Sequence, residues 1–226
     1  MRQLELPRWG GRRKGAGRKP GRRPSTPHRA RARFRRDQPS HITLRIARDL
    51  PNLRVPATYE VLKAVFRLVR QRPGFRLIHY SVQRNHIHLI VEAWDKKTLR
   101  SGLAALEIRL ALALNRWWKR SGPVFGDRYH NHVIRAPREA RHVLAYVLSN
   151  ARKHAKQAGI VLPRRWLDPY SSARAFPGWS VPTSPPREEL PVVEPHAWLL
   201  RTAWRRRGPL PIDGIPGDHP EVALPA

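Results

Sequence analysis

Two histidines flank one bulky apolar residue in the run Asn85-His86-Ile87-His88-Leu89-Ile90-Val91-Glu92. On a strand, residues i and i+2 share a face. His86 and His88 then present two imidazoles side by side, while Ile87, Leu89 and Val91 point the other way into a core. Two neutral imidazoles on one rigid strand make half of a divalent-metal site. A second pair, Tyr146 and Asn150, has the i, i+4 spacing of helix-surface neighbours. On a helical wheel Glu139, His142, Tyr146, Asn150, Lys153 and Gln157 form one polar stripe. Ala140, Val143, Leu144, Val147, Leu148, Ala151 and Ala155 form a separate apolar arc. A tyrosine on such a stripe is not placed like a core residue. A phenol, with a pKa of about 10, is a poor nucleophile until something assists it. A nearby divalent metal can polarise a phosphate under attack and stabilise the charge that accumulates there. His86, His88 and an amide oxygen from Asn150 would make a three-ligand site with open positions. That donor mixture suits Mg²⁺ or Mn²⁺ and does not exclude Zn²⁺.

The charge balance points to the same kind of substrate. Lys and Arg number 45 against 16 acidic residues, a formal net charge of +29. Such an excess suits a polyanion, because each neutralised phosphate releases condensed counterions. Cysteine is absent, which excludes disulfides, thiolate nucleophiles and Cys-based zinc sites. No apolar stretch reaches the roughly 18 residues of a membrane span, and the N-terminus lacks an apolar signal core. The expected protein is soluble, cytoplasmic and nucleoid-associated, with no membrane partner.

Residues 1–39 read as a disordered basic arm, rich in Arg, Gly and Pro and without hydrophobic period. Arg12, Arg13, Lys14, Arg18, Lys19, Arg22 and Arg23 are its candidate DNA contacts, sequence-blind and electrostatic. From His41 the pattern changes: Ile42, Leu44 and Ile46 alternate with Thr43, Arg45 and Ala47 as a half-buried strand. A helix follows over 58–71, then a hairpin of 75–83 with 86–93, a long helix over 96–120, a strand over 124–135 and a last helix over 137–157. The first six elements have the split βαβ order of a ferredoxin-like sheet with helices on one face, an α+β fold. The last, tyrosine-bearing helix is an addition whose polar stripe should face the histidine side of the sheet. Residues 40–180 form the expected catalytic domain, and 181–226 a Pro- and Trp-rich extension.

These residues resemble a known family. The chain is similar to single-tyrosine HUH transposases of the REP-associated tyrosine transposase group. The strand motif of two histidines around a hydrophobic residue is matched by His86-Ile87-His88. The final-helix motif of tyrosine with asparagine four residues on is matched by Tyr146 and Asn150. Asp168-Pro169-Tyr170-Ser171-Ser172 is similar to the aromatic-Ser-Ser segment after that helix. Gly122-Pro123-Val124-Phe125-Gly126-Asp127-Arg128-Tyr129 resembles the segment before it. The resemblance covers roughly residues 40–180. It implies that Tyr146 is the nucleophile and Asn150 the third metal ligand. It implies a 5′-phosphotyrosine intermediate and a single-stranded hairpin or palindromic DNA partner. It also implies a monomer or homodimer. One departure stands out: the family's proline after the asparagine is here Ala151, a change expected to keep the helix regular.

Blander readings stand beside these. A ferredoxin-like sheet with a basic arm also describes a non-catalytic DNA- or RNA-hairpin-binding protein, although no Lys/Arg-Gly-Phe signature falls on a strand. Glu139 reads as a solvated first-turn acid, favoured by the helix dipole. His130-Asn131-His132 has polar Asn between its histidines and reads as DNA-facing or incidental. Trp117, Trp118 and Phe125 fit core packing better than base stacking. Lys119, Arg120, Arg128, Arg135 and Lys153 are read as phosphate contacts.

Overall fold

A computed structural model of the chain describes residues 38–217. The arm residues Arg12, Arg13, Lys14, Arg18, Lys19, Arg22 and Arg23 lie outside the described residues. Five strands form one sheet in the order β2-β3-β4-β1-β5. They are β1 (Gln38–Arg45), β2 (Gln71–Arg72), β3 (Phe75–Val82), β4 (His86–Ala93) and β5 (His130–Val133). Every pairing is antiparallel. Helix α1 (Pro56–Val69) connects β1 to the β2–β3 side, and α2 (Lys96–Trp117) connects β4 to β5. Apart from the short β2, this is the ferredoxin-like split βαβ sheet that the hydrophobic pattern predicts. Among the described residues no helix is long and apolar enough to cross a membrane.

Period-two alternation divides the sheet between two cores. Ile42 and Leu44 of β1 and Ile87, Leu89 and Val91 of β4 face α1 and α2, where Leu62, Phe66, Leu103, Leu106 and Leu110 bury against them. Asp95 starts α2 by accepting the Thr98 amide at 2.7 Å, while Thr98 Oγ1 accepts the Asp95 amide at 3.0 Å. On the opposite face, Ile78, Ile90 and Ile134 pack with Val143, Leu144 and Val147 of α3 (Pro137–Leu148). The segment from Phe176 onward joins this second core through Trp179, Trp204, Leu210, Ile212 and Leu200 of a short α5 (Trp198–Arg201). Buried Glu92 holds it there, its carboxylate accepting the amides of His196 at 2.8 Å and Ala197 at 2.9 Å. Part of the extension set apart by composition thus lies on the sheet face that carries the histidines.

Two elements differ from expectation in ways that affect the site. The strand expected over 124–135 is regular only at His130–Val133, with one isolated bridge between Phe125 and Ile46. Between them the chain leaves the sheet edge through Gly126 and Asp127. The helix expected over 137–157 breaks at Ser149, whose φ of −111° and ψ of 14° depart from helical values, and restarts as α4 (Asn150–Gln157). Ala151 therefore does not keep the helix regular. The restarted helix is held by tertiary contacts. Arg152 is buried, and its Nη2 donates to the carbonyls of Pro163, Arg164 and Trp166 at 2.8 Å each. This anchor holds α4 to the chain that follows it.

Candidate functional site

β4 turns His86 and His88 to the face opposite Ile87 and Leu89. β1 lies beside it, with Thr43 paired to His88 and His41 to Ile90. The imidazoles of His86 and His88 meet edge to face, and their Nε2 atoms are 3.1 Å apart. Each Nδ1 has a partner on the outer side. His86 Nδ1 lies 2.9 Å from Asn85 Oδ1; His88 Nδ1 lies 3.1 Å from His41 Nε2 and 3.2 Å from Thr43 Oγ1. A proton on one Nε2 would make the 3.1 Å contact a hydrogen bond; protons on both Nδ1 atoms suit the outer partners instead, an assignment resting on those partners. Two Nε2 lone pairs then converge and repel unless a proton or a cation stands between them.

Electrostatics favours the neutral rings that metal binding needs. Burial, above all, pushes His41 down to about 3, His86 to about 4 and His88 to about 2. Neighbouring positive charge adds to it: His132 and His130 act on His41, Arg45 and His154 on His86, and His41 and His86 on His88.

The broken helix crosses this pair. Tyr146, near the end of α3, sets its ring against His88 at 5.1 Å between centroids and against His41 at 5.7 Å. His154 on α4 lies 6.4 Å from His86 by the same measure. Asn150 stands midway in sequence between those two contacts. It is 1% exposed, and neither Oδ1 nor Nδ2 has a hydrogen-bond partner. An orphaned buried amide costs about 1–3 kcal/mol, so its retention calls for a reason. Lys153 brings its ammonium 5.4 Å from the centre of the Tyr146 ring.

The donor set fits a small divalent cation. Ligands about 2.1 Å from a metal and at right angles lie about 3.0 Å apart, close to the 3.1 Å between the two Nε2 atoms. Among the described residues no group of three His, Cys, Asp or Glu is arranged to hold a metal. The Asn150 carboxamide, buried and without a hydrogen-bond partner, is the third donor that the sequence motif puts forward. Two imidazoles and an amide oxygen would offer a divalent metal a mixed nitrogen and oxygen donor set.

Other candidate residues fall elsewhere. Arg128 and Arg135 are exposed before and after β5, the edge strand two places from β4. Glu139 is not a solvated acid: it accepts from His132 Nε2 and from the amides of Arg135 and Ala136, closing the start of α3. His132 is thereby held by Glu139. Trp117 is half exposed, whereas Trp118 and Phe125 pack against the first core. The Asp168–Ser172 segment is a latch across β3. Buried Asp168 takes both guanidinium nitrogens of Arg54 at 2.9 Å, and Ser172 Oγ lies 3.1 Å from His79 Nδ1.

Sequence reasoning passed over His41, Thr43 and His154. Thr43 and His41 occupy the polar alternate positions of β1. That strand reads as half-buried until its place between β4 and β5 is known; then its polar face becomes the floor beside His88.

No protein-family model matches the chain, and no curated protein matches it. Among solved structures, it is similar to a REP-associated tyrosine transposase bound to a REP hairpin, at 18% identity and a TM-score of 0.49 over 64% of this chain and 81% of that one. It is also similar to a protein named as a transposase from Deinococcus radiodurans, at 14% identity and a TM-score of 0.39 over 59% of this chain and 100% of that one.

Proposed function

We propose that this protein nicks and rejoins single-stranded DNA in a transposase-like reaction, with Tyr146 as nucleophile and His86, His88 and Asn150 as metal ligands. The observation that carries the reading is the packing of the Tyr146 ring against His88, 5.1 Å between centroids, beside two converging Nε2 atoms. A tyrosine and an unpartnered amide four residues apart on one side, and a histidine pair on the other, come from two segments distant in sequence. Packing alone does not call for that combination.

In the forward step Tyr146 Oη gives up its proton and forms a bond to phosphorus as the phosphorus–O3′ bond breaks. The 5′ side stays on the enzyme as a phosphotyrosine, and the released 3′-oxygen takes up a proton. Rejoining is the reverse: a 3′-hydroxyl attacks the phosphotyrosine and Tyr146 regains its proton. A bound Mg²⁺ or Mn²⁺ would polarise the phosphate and stabilise the charge it accumulates. Lys153 adds positive charge beside the ring that attacks. Asn85 and the floor of β1 offer hydrogen-bond partners to both Nδ1 atoms. The surplus of basic residues supplies backbone affinity for DNA. A hairpin substrate follows from the motif resemblance.

The test is a covalent one. Wild type incubated with Mn²⁺ and a single-stranded hairpin oligonucleotide should give an adduct that survives denaturing electrophoresis. Tyr146→Phe should give none, with oligonucleotide affinity within a few fold of wild type. An equal adduct yield from the variant moves the nucleophile to Tyr129 or Tyr170. No adduct from wild type under any metal leaves a hairpin-binding protein.

A further inference from the structure

We infer that His41 is a positioning residue for this site: its Nε2 accepts the Nδ1 proton of His88, which turns the His88 Nε2 lone pair toward His86, and its ring supports Tyr146. The inference rests on the metal-site reading above and adds to it a residue that no motif marks.

His41 is 7% exposed on β1, with its Nε2 3.1 Å from His88 Nδ1. The two rings are 5.2 Å apart and tilted by 36°, so the contact is made edge to edge by nitrogen atoms rather than by stacking. A neutral imidazole carries one N–H and one lone pair. If His88 offers Nε2 as a ligand, its proton must sit on Nδ1 and needs an acceptor there. His41 Nε2 is the nearer acceptor, and Thr43 Oγ1 at 3.2 Å is the rival. The same His41 ring meets Tyr146 in a T-shaped contact at 5.7 Å. One buried side chain thus touches both the candidate ligand and the candidate nucleophile. Removing such an outer partner typically weakens metal binding about 10–100-fold.

The experiment uses the full chain. In metal-free protein, ¹⁵N imidazole NMR should find His88 as its Nδ1–H tautomer. His41→Phe, which removes the acceptor, should lose that tautomer preference and bind Mn²⁺ about 10–100-fold more weakly by electron paramagnetic resonance titration. His41→Gln, whose Oε1 can stand where Nε2 stood, should keep the tautomer and most of the affinity. A His88 proton on Nε2 in wild type overturns the inference whether or not any variant folds. So does loss of the tautomer in Thr43→Val with His41→Phe unaffected. If wild type binds Mn²⁺ no better than His86→Ala, the metal reading fails; the tautomer in metal-free protein still decides whether His41 orients His88.

Discussion

Replacing Asn150 by leucine should stabilise the metal-free protein and remove its response to metal. The side chain is 1% exposed with both polar atoms unpartnered. Leaving such an amide buried costs about 1–3 kcal/mol, and an apolar group of similar shape removes that cost. Leucine has the same branch at Cγ, and its slightly larger methyl groups return part of the gain as crowding. A net stabilisation of about 1–2 kcal/mol is expected. With an m-value of about 2 kcal/mol per molar urea, the midpoint should rise by about 0.5–1 M in the presence of EDTA. Addition of Mn²⁺ reverses the order. At a hundredfold excess over its dissociation constant, a ligand that binds only the native state stabilises by about 2.7 kcal/mol. Wild type should gain that amount and Asn150→Leu far less. A midpoint that falls in EDTA would refute the reasoning, because the amide would then already be satisfied and its burial merely structural. An equal Mn²⁺ gain in both proteins would place the third donor elsewhere.

Other predictions follow from the same geometry. His86→Ala and His88→Ala should each lose the Mn²⁺-dependent rise in melting temperature and the DNA adduct, with partial rescue at high Mn²⁺ since two donors remain; full activity in EDTA would end the metal argument. Buried His79 is held down to about 4 by desolvation, so the unfolded chain binds its proton first as pH falls below about 6.5. Its contribution to stability is full above about pH 6.5 and is lost toward pH 4, by about 3 kcal/mol; His79→Phe should flatten the acid limb of a urea-midpoint profile, and an unchanged limb would assign the effect elsewhere. Deleting residues 1–37 should weaken binding to single-stranded DNA and lower the salt slope by about 0.7 for each phosphate that the arm neutralises, with adduct formation retained at high enzyme concentration. Retained affinity with impaired choice of sequence would show that the arm reads bases.

The parts of this molecule that follow from local periodicity were open to reading in the sequence, and the parts that follow from strand order were not. Ile87, Leu89 and Val91 must face a core once His86 and His88 do not, so the orientation of the histidine pair needs only a strand. His41 is different. Nothing near it in sequence distinguishes it from any polar residue of a half-buried strand. It matters because β1 inserts between β4 and β5 and brings it within 3.1 Å of His88, a neighbour 47 residues away. The break at Ser149 has the same character. The apolar arc of the last helix runs on past it without interruption, and no proline or glycine marks a stop. Beyond the break, Arg152 is held by three carbonyls at 163–166, contacts that exist only in the folded chain. The break also separates two candidate site residues. A continuous helix would fix Tyr146 and Asn150 one turn apart in a rigid frame. With Ser149 between them, the candidate nucleophile belongs to a helix buried on the second core, and the candidate ligand belongs to a helix tethered to the segment after it.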